Sequence, residues 1–149
     1  MSQNASKPGP APRLSDFPFH ALEKLRYNDT DRQGHVNNAV FATFFETGRV
    51  EWLFGCGADL QGENGAFVLA RLLLDYRMEV NWPGEVEIGT RLAGLGRSSL
   101  RFEQAIFQNG GCVATGETTI VLTDTTTRRS KPFSDEARAF LIAQAPDVF

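Results

Sequence analysis

One segment limits the folds open to this chain more than any other. Across residues 39–53, Phe41, Phe44, Phe45, Gly48, Trp52 and Leu53 fall near one face of an α-helix, while Thr43, Thr47, Arg49 and Glu51 fall largely off it. Asn37 or Asn38 offers a side-chain oxygen to the orphan N–H groups at the helix start, and Gly55 and Gly57 offer stops at its end. Gly48 stands in mid-helix, where glycine costs about 1 kcal/mol relative to alanine. It fits either a close approach of a sheet or ligand, or a tolerated small residue.

Around that helix the chain reads as strand. Residues 17–27 alternate imperfectly, with Phe19, Ala21, Leu25 and Tyr27 on one parity. Residues 67–76 are rich in Val, Leu and Phe and run on toward Val80, ahead of a break at Trp82-Pro83-Gly84. Residues 86–95 and 100–107 alternate on either side of a bend at residues 94–98. Gln108-Asn109-Gly110-Gly111 is a hairpin turn that opens a last long strand over residues 112–123. Ser134 caps a short terminal helix. Strands segregated from one long helix give the α+β class, an antiparallel sheet of about five strands wrapped around one long central helix. Such a sheet leaves a face or an edge for a second copy, so a homodimer is expected.

The 149 residues suit one domain, residues 16–149, behind a loosely attached tail of residues 1–15 with Pro8, Pro10 and Pro12. A hydrophobic content of 42%, with twelve phenylalanines against two tyrosines and two tryptophans, favours a core or an oily pocket over a wet recognition surface. The net charge of −3 argues against a nucleic-acid partner. No apolar run is long enough for a bilayer and no signal-peptide core is present, so a cytoplasmic protein without membrane association is expected. Cys56 and Cys112 read as free thiols. His20 and His35 make a poor ligand set, and neither a metal nor a cofactor is expected.

The chemistry concentrates between the first strand and the helix. Residues 29–38 hold Asp29, Asp31, Gly34, His35, Asn37 and Asn38. A carboxylate beside a helix N-terminus can act on a carbonyl whose developing oxyanion is held by the free N–H groups of that helix. Either aspartate also fits a turn residue bonded to its own backbone, the more so Asp29. His35 suits a base by its near-neutral reference pKa, or a packing and orienting role. Gly34 suits a positive φ or a close approach of substrate. Glu46, on the helix, is a rival base or a partner for Arg49 three residues on.

Tyr27-Asn28-Asp29-Thr30-Asp31, Gly34-His35-Val36-Asn37-Asn38, Phe44-Phe45-Glu46 and Arg49-Val50-Glu51-Trp52-Leu53 resemble the signature of the 4-hydroxybenzoyl-CoA thioesterase-like branch of the hot-dog fold. Arg71-Leu72-Leu73-Leu74-Asp75-Tyr76 and Gly96-Arg97-Ser98-Ser99-Leu100-Arg101-Phe102 are similar to its later strands. One departure is the proline after the Asp-Tyr strand, which is shifted here to Pro83. The resemblance implies hydrolysis of an acyl-CoA thioester by a metal-free dimer or tetramer with its site between subunits. It implies Asp31 as base or nucleophile and the backbone N–H of Asn38 as oxyanion donor, with Gly34 and His35 alongside.

A CoA carries a 3′-phosphate and a pyrophosphate, which suit guanidinium partners. Arg97, Ser98, Ser99 and Arg128 are therefore expected to bind substrate, with Arg101, Arg129 and Lys131 as further cations. Phe41 and Phe67, with Phe44 and Leu69, are candidates to line an acyl pocket, although core packing suits any single one of them better. Three other readings stay open: a thioesterase for acyl-carrier protein, a non-hydrolytic acyl-CoA-binding subunit, and Asp31 acting either on water or on the carbonyl itself.

Overall fold

In the computed structural model, which describes residues 9–149, period-two alternation and turn chemistry resolve into five strands. They are β1 (Phe19–Lys24), β2 (Gly65–Tyr76), β3 (Glu85–Leu95), β4 (Ser99–Gln108) and β5 (Gly111–Asp124), with α1 (Val40–Gly55) between β1 and β2 and α2 (Asp135–Gln144) after β5. All pairings are antiparallel, in the order β1-β3-β4-β5-β2. The turn at residues 108–111 closes β4 onto β5 with Asn109 and Gly110 both at positive φ, as a two-residue hairpin requires. Ser134 caps α2 through its Oγ, which accepts the N–H of Ala137 at 3.1 Å.

The sheet curls around α1, which is the hot-dog arrangement. Phe41, Phe44 and Phe45 join Val80, Val86, Ile88, Ile106, Val113 and Ala114 in one core cluster. At the other end of the helix, Leu53 packs with Leu92, Leu100, Phe102, Ile120 and Leu122, closed over by Ala137 and Leu141 of α2. Gly48 owes its place to the sheet. A Cβ there would meet Gln104 Nε2 and Ile88 Cγ2 at 2.8 Å and Thr90 Oγ1 at 2.9 Å.

Four expectations are corrected. Arg49, read as off the buried face, is buried and donates from Nη1 to Gln104 Oε1 and Thr118 Oγ1, both at 3.3 Å, while Glu46 is exposed. The sheet wraps more of the helix than a narrow apolar stripe implies. Tyr27 leaves the strand for a 3-10 turn (Tyr27–Asp29) and stands exposed, edge-on to Trp82. β2 stops at Tyr76 because the N–H groups of Arg77 and Met78 both turn to the Val113 carbonyl. Of the segment read as a tail, residues 1–8 lie outside the described residues, whereas Arg77 donates to the Gly9 carbonyl at 3.0 Å and Leu14 packs beside Phe17, Ala105 and Phe107.

Gly48→Ala would gain about 1 kcal/mol of helix propensity and lose more to the sheet, since overpacking costs about 1–3 kcal/mol. Gln104 cannot retreat cheaply, because its amide donates to the Phe45 carbonyl and to Thr90 Oγ1, both at 2.9 Å. A net destabilisation is expected in urea unfolding; equal or higher stability would show that the sheet yields at this point.

Candidate active site

The residues between β1 and α1 fold into a small hairpin of their own. Thr30 pairs with Val36, the N–H of Asp31 donates to the His35 carbonyl at 2.8 Å, and the N–H of Gly34 donates to the Asp31 carbonyl at 3.0 Å. Gly34 takes a φ of 85°, the left-handed residue that closes such a turn. A Cβ on Gly34 would meet nothing within 4 Å, so backbone conformation and not crowding explains the glycine. Val36 in turn donates to the Val80 carbonyl at 2.8 Å and anchors the hairpin to the segment after β2.

The two aspartates receive different environments. Asp29 is buried. Its Oδ2 accepts the Arg26 N–H at 2.8 Å, and its Oδ1 accepts Arg26 Nη2 at 2.8 Å and Nε at 3.2 Å. Burial pushes the Asp29 pKa up, but the Arg26 guanidinium, its backbone N–H and its charge outweigh that, and the net shift is downward. Asp31 is half-buried. Its Oδ1 accepts the Gln33 N–H at 2.8 Å, and its Oδ2 meets no donor among the described residues. Both aspartates thus bond the backbone of their own turn, Asp29 with its other oxygen on the Arg26 guanidinium and Asp31 with its other oxygen free.

The helix start is tied nearly donor by donor. Asn37 donates its N–H to the Asp29 carbonyl at 2.8 Å, Ala39 donates to Asn37 Oδ1 at 2.9 Å, and Val40 donates to the Asn37 carbonyl at 2.9 Å. Neither asparagine is the N-cap expected from the sequence: Ala39 holds that position without a side-chain cap, and Asn37 Oδ1 instead closes the turn ahead of the helix. The N–H of Asn38 meets no acceptor among the described residues.

Asp31 and Asn38 line one cavity of about 330 Å³, together with His35, Phe41, Tyr76 and Glu79. His35 Nε2 stands 3.0 Å from Glu79 Oε2, which occupies the ring with a carboxylate other than Asp31. Tyr76 was not singled out as a site residue in the sequence; its one signal is that it shares the strand parity of Leu72 and Leu74 while carrying a hydroxyl. Among the described residues, no three His, Cys, Asp or Glu side chains converge as a metal site, and no helix is long and apolar enough to cross a membrane.

The expected substrate-binding residues do not all gather here. Phe41 does. Phe44 is core, Leu69 is exposed on β2, and Phe67 packs against Phe133, ring centroids 6.2 Å apart. Arg97, Ser98 and Ser99 form the β3–β4 turn, where the Ser98 carbonyl accepts the Leu122 N–H, and Arg128 follows β5, donating its N–H to the Asp124 carbonyl. Asp124 pairs with Gly65 at the start of β2, whereas the cavity lies at Tyr76, its end. Within one chain these residues lie at opposite ends of the sheet, about 35 Å apart at roughly 3.3 Å per residue.

Comparison with known proteins gives this sheet and cavity a family. The family model of the thioesterase-like superfamily matches residues 25–141, and the chain belongs to that superfamily. The acyl-CoA thioesterase YbgC of Haemophilus influenzae is 25% identical over 130 residues, 85% of this chain and 96% of that one. The chloroplastic acyl-acyl carrier protein thioesterase ATL2 of Arabidopsis thaliana is 30% identical over 94 residues, 60% of this chain and 50% of that protein, so the match spans half of its length. Among solved structures, the PA5185 protein of Pseudomonas aeruginosa superposes with a TM-score of 0.80 at 30% identity, covering 91% of this chain and 96% of that one. A thioesterase of Thermus thermophilus solved with coenzyme A and zinc gives a TM-score of 0.76 at 34% identity, covering 87% and 96%.

Asp29→Asn should destabilise the protein by about 1–3 kcal/mol at neutral pH, the range for a buried charge-assisted hydrogen bond. The folded-state pKa of Asp29 is depressed. Its contribution is therefore full above the ordinary aspartate value, about 4, and is lost as pH falls through the lower folded value. Urea unfolding of both proteins across that window should show the gap closing on the acid side; a gap independent of pH would mean that the charge of Asp29 does not matter.

Proposed function

We propose that this protein hydrolyses an acyl-CoA thioester to the free acid and CoA, with Asp31 as base or nucleophile and the Asn38 N–H as oxyanion donor. The observation that carries the reading is that Asp31, whose carboxylate keeps one oxygen without a donor, and Asn38, whose N–H just ahead of α1 meets no acceptor among the described residues, line one cavity. A thioester carbonyl set between them is attacked from one side and polarised from the other. On the base route, Asp31 takes a proton from water as the water oxygen bonds to the carbonyl carbon. The tetrahedral oxyanion rests on the Asn38 N–H and the positive end of the α1 dipole. Collapse breaks the C–S bond, and the CoA thiolate leaves and takes up the proton. On the nucleophilic route, Asp31 displaces the thiolate to form a mixed anhydride, which water then cleaves. Gly34 shapes the turn that carries Asp31, and His35, held by Glu79, borders the cavity.

The CoA contacts are supplied by a second copy. β2 is a twelve-residue edge strand with Val68, Leu69, Leu73 and Tyr76 exposed, an edge that a monomer would ordinarily blunt. Antiparallel pairing of two such edges sets the Tyr76 end of one against the Gly65 end of the other. Arg97, Ser98, Ser99, Arg128 and Phe67 of one copy then approach the Asp31 cavity of its partner. A carrier-protein thioester is the second reading, favoured by the similarity to the Arabidopsis enzyme.

Asp31→Asn should lower kcat by about a hundred- to ten-thousandfold on the best member of an acyl-CoA panel, read by thiol release, with unfolding midpoint and oligomeric state unchanged. Near-wild-type turnover would remove the assignment, and faster turnover of the matched carrier-protein thioester by the wild type would move it to the second reading. Leu69→Arg/Leu73→Arg, which places like charges along the edge, should sediment as a monomer with KM raised at least tenfold. An unchanged assembly and KM would place the interface elsewhere.

A further inference from the structure

We infer that Tyr76 is a positioning residue for the proposed reaction, acting through the backbone of Asn38 and not on the substrate. The inference rests on the function proposed above and adds a residue to it. The Tyr76 hydroxyl donates to the Asn38 carbonyl at 2.8 Å, across 38 residues of sequence, and its ring stands edge-on to Phe41 with centroids 5.0 Å apart.

The N–H of Asn38 lies in the peptide plane it shares with the Asn37 carbonyl, and the next plane, hinged to it at the Asn38 Cα, restrains how far that plane can turn. The plane before Asn38 is fixed by Val40, which donates to the Asn37 carbonyl, and by Asn37, which donates to the Asp29 carbonyl. The plane after it is fixed on its N–H side by Asn37 Oδ1 and on its carbonyl side by Tyr76. Three of these four ties are local to residues 29–40. The fourth, from Tyr76, comes from the sheet, so it holds the peptide ahead of α1 against β2, the strand proposed to carry the partner copy. A phenol has one hydrogen to donate, and here the Asn38 carbonyl takes it. The Tyr76 hydroxyl is therefore spent on backbone geometry, although the ring lines the cavity. An oxyanion donor is effective only when held in place before the charge develops, so release of one tie appears in the transition state and leaves ground-state binding little changed.

Tyr76→Phe keeps the ring and its contact with Phe41 and removes only the donor. On the acyl-CoA that wild type hydrolyses fastest from a panel of acetyl- to palmitoyl-CoA and benzoyl-CoA, kcat is expected to fall about five- to tenfold, the worth of one hydrogen bond, with KM within twofold. Amide hydrogen exchange of the free protein, followed by NMR, is expected to quicken severalfold at Ala39 and Val40, whose N–H groups are bonded to Asn37, and to stay unchanged in β3 and β4. Asp31→Asn is expected to lose turnover with wild-type exchange at those two amides. A kcat within twofold of wild type, a change confined to KM, or unchanged exchange at Ala39 and Val40 in Tyr76→Phe would each overturn the inference. If wild type releases thiol from no member of the panel, the proposed function falls, and the positioning of the helix start by Tyr76 stands or falls on the exchange measurement.

Discussion

The seat of α1 on the sheet is the constraint on which the rest of this structure depends. Gly48 lets the helix descend until the Gln104 amide reaches the Phe45 carbonyl and Thr90 Oγ1. At that depth Phe44 and Phe45 are almost wholly buried, and the ring of Phe45 closes on Gly116 so that a Cβ there would stand 3.0 Å away. A close-packed interior has no slack in which to slide such a helix. Its N-terminus is thereby delivered to a fixed place beside the hairpin of residues 30–36, and the open N–H of Asn38 inherits that position. Arg49 belongs to the same seat. Burial lowers its pKa and the charge of Glu46 opposes the shift, yet a guanidinium starts so high that it stays charged, held by Gln104 and Thr118.

Beside that fixed helix start, two aspartates separated by one residue divide the work by environment. Asp29 gives both carboxylate oxygens to Arg26 and its main-chain carbonyl to Asn37, which makes it the joint between β1 and α1. Asp31 spends one oxygen on the Gln33 N–H and keeps the other. A fully paired carboxylate is held ionised and out of reach, and a half-paired one is held in a definite direction with a reactive lone pair to spare. His35 is fixed on one side by Glu79 and through its backbone by Asp31, so it walls the cavity while Asp31 faces it.

Most of the fold was legible because period carries it. The strands, the hairpin at Asn109-Gly110, the Ser134 cap and the α1 face with Phe41, Phe44, Phe45 and Leu53 all follow from residue spacing and turn chemistry. Arg49 was not legible, because a residue beside an apolar stripe is buried only when the opposing sheet curls far enough to reach it. Tyr27 was not, because strand parity continues in a sequence after the backbone has turned into a 3-10 bend. At the site, the grouping of Asp31, Gly34, His35 and Asn38 follows from their nearness in the chain. What sequence could not supply was the contact of Tyr76 with Asn38, whose partners lie 38 residues apart, or the fact that Arg97 and Arg128 sit at the far end of β2.

That last separation has a geometric reading. β3, β4 and β5 are long hairpin strands, so each turn lies at one end of the sheet or the other: Gln108-Asn109-Gly110-Gly111 near the cavity side, Arg97-Ser98 and Arg128 at the opposite side. A ligand with an acyl group at one end and phosphates at the other is long, but an extended span of about 35 Å along one sheet exceeds a compact cleft. In the proposed assembly, a two-fold axis through the free edge of β2 would remove the difficulty without moving any residue, because it would lay the Arg97 and Arg128 end of one copy over the Asp31 end of the other. The same operation would cover Val68, Leu69 and Leu73 and bring Tyr76 to the seam. A residue there would answer both to the partner strand and to the Asn38 carbonyl, so the proposed assembly and the setting of the proposed oxyanion donor would be coupled through one side chain.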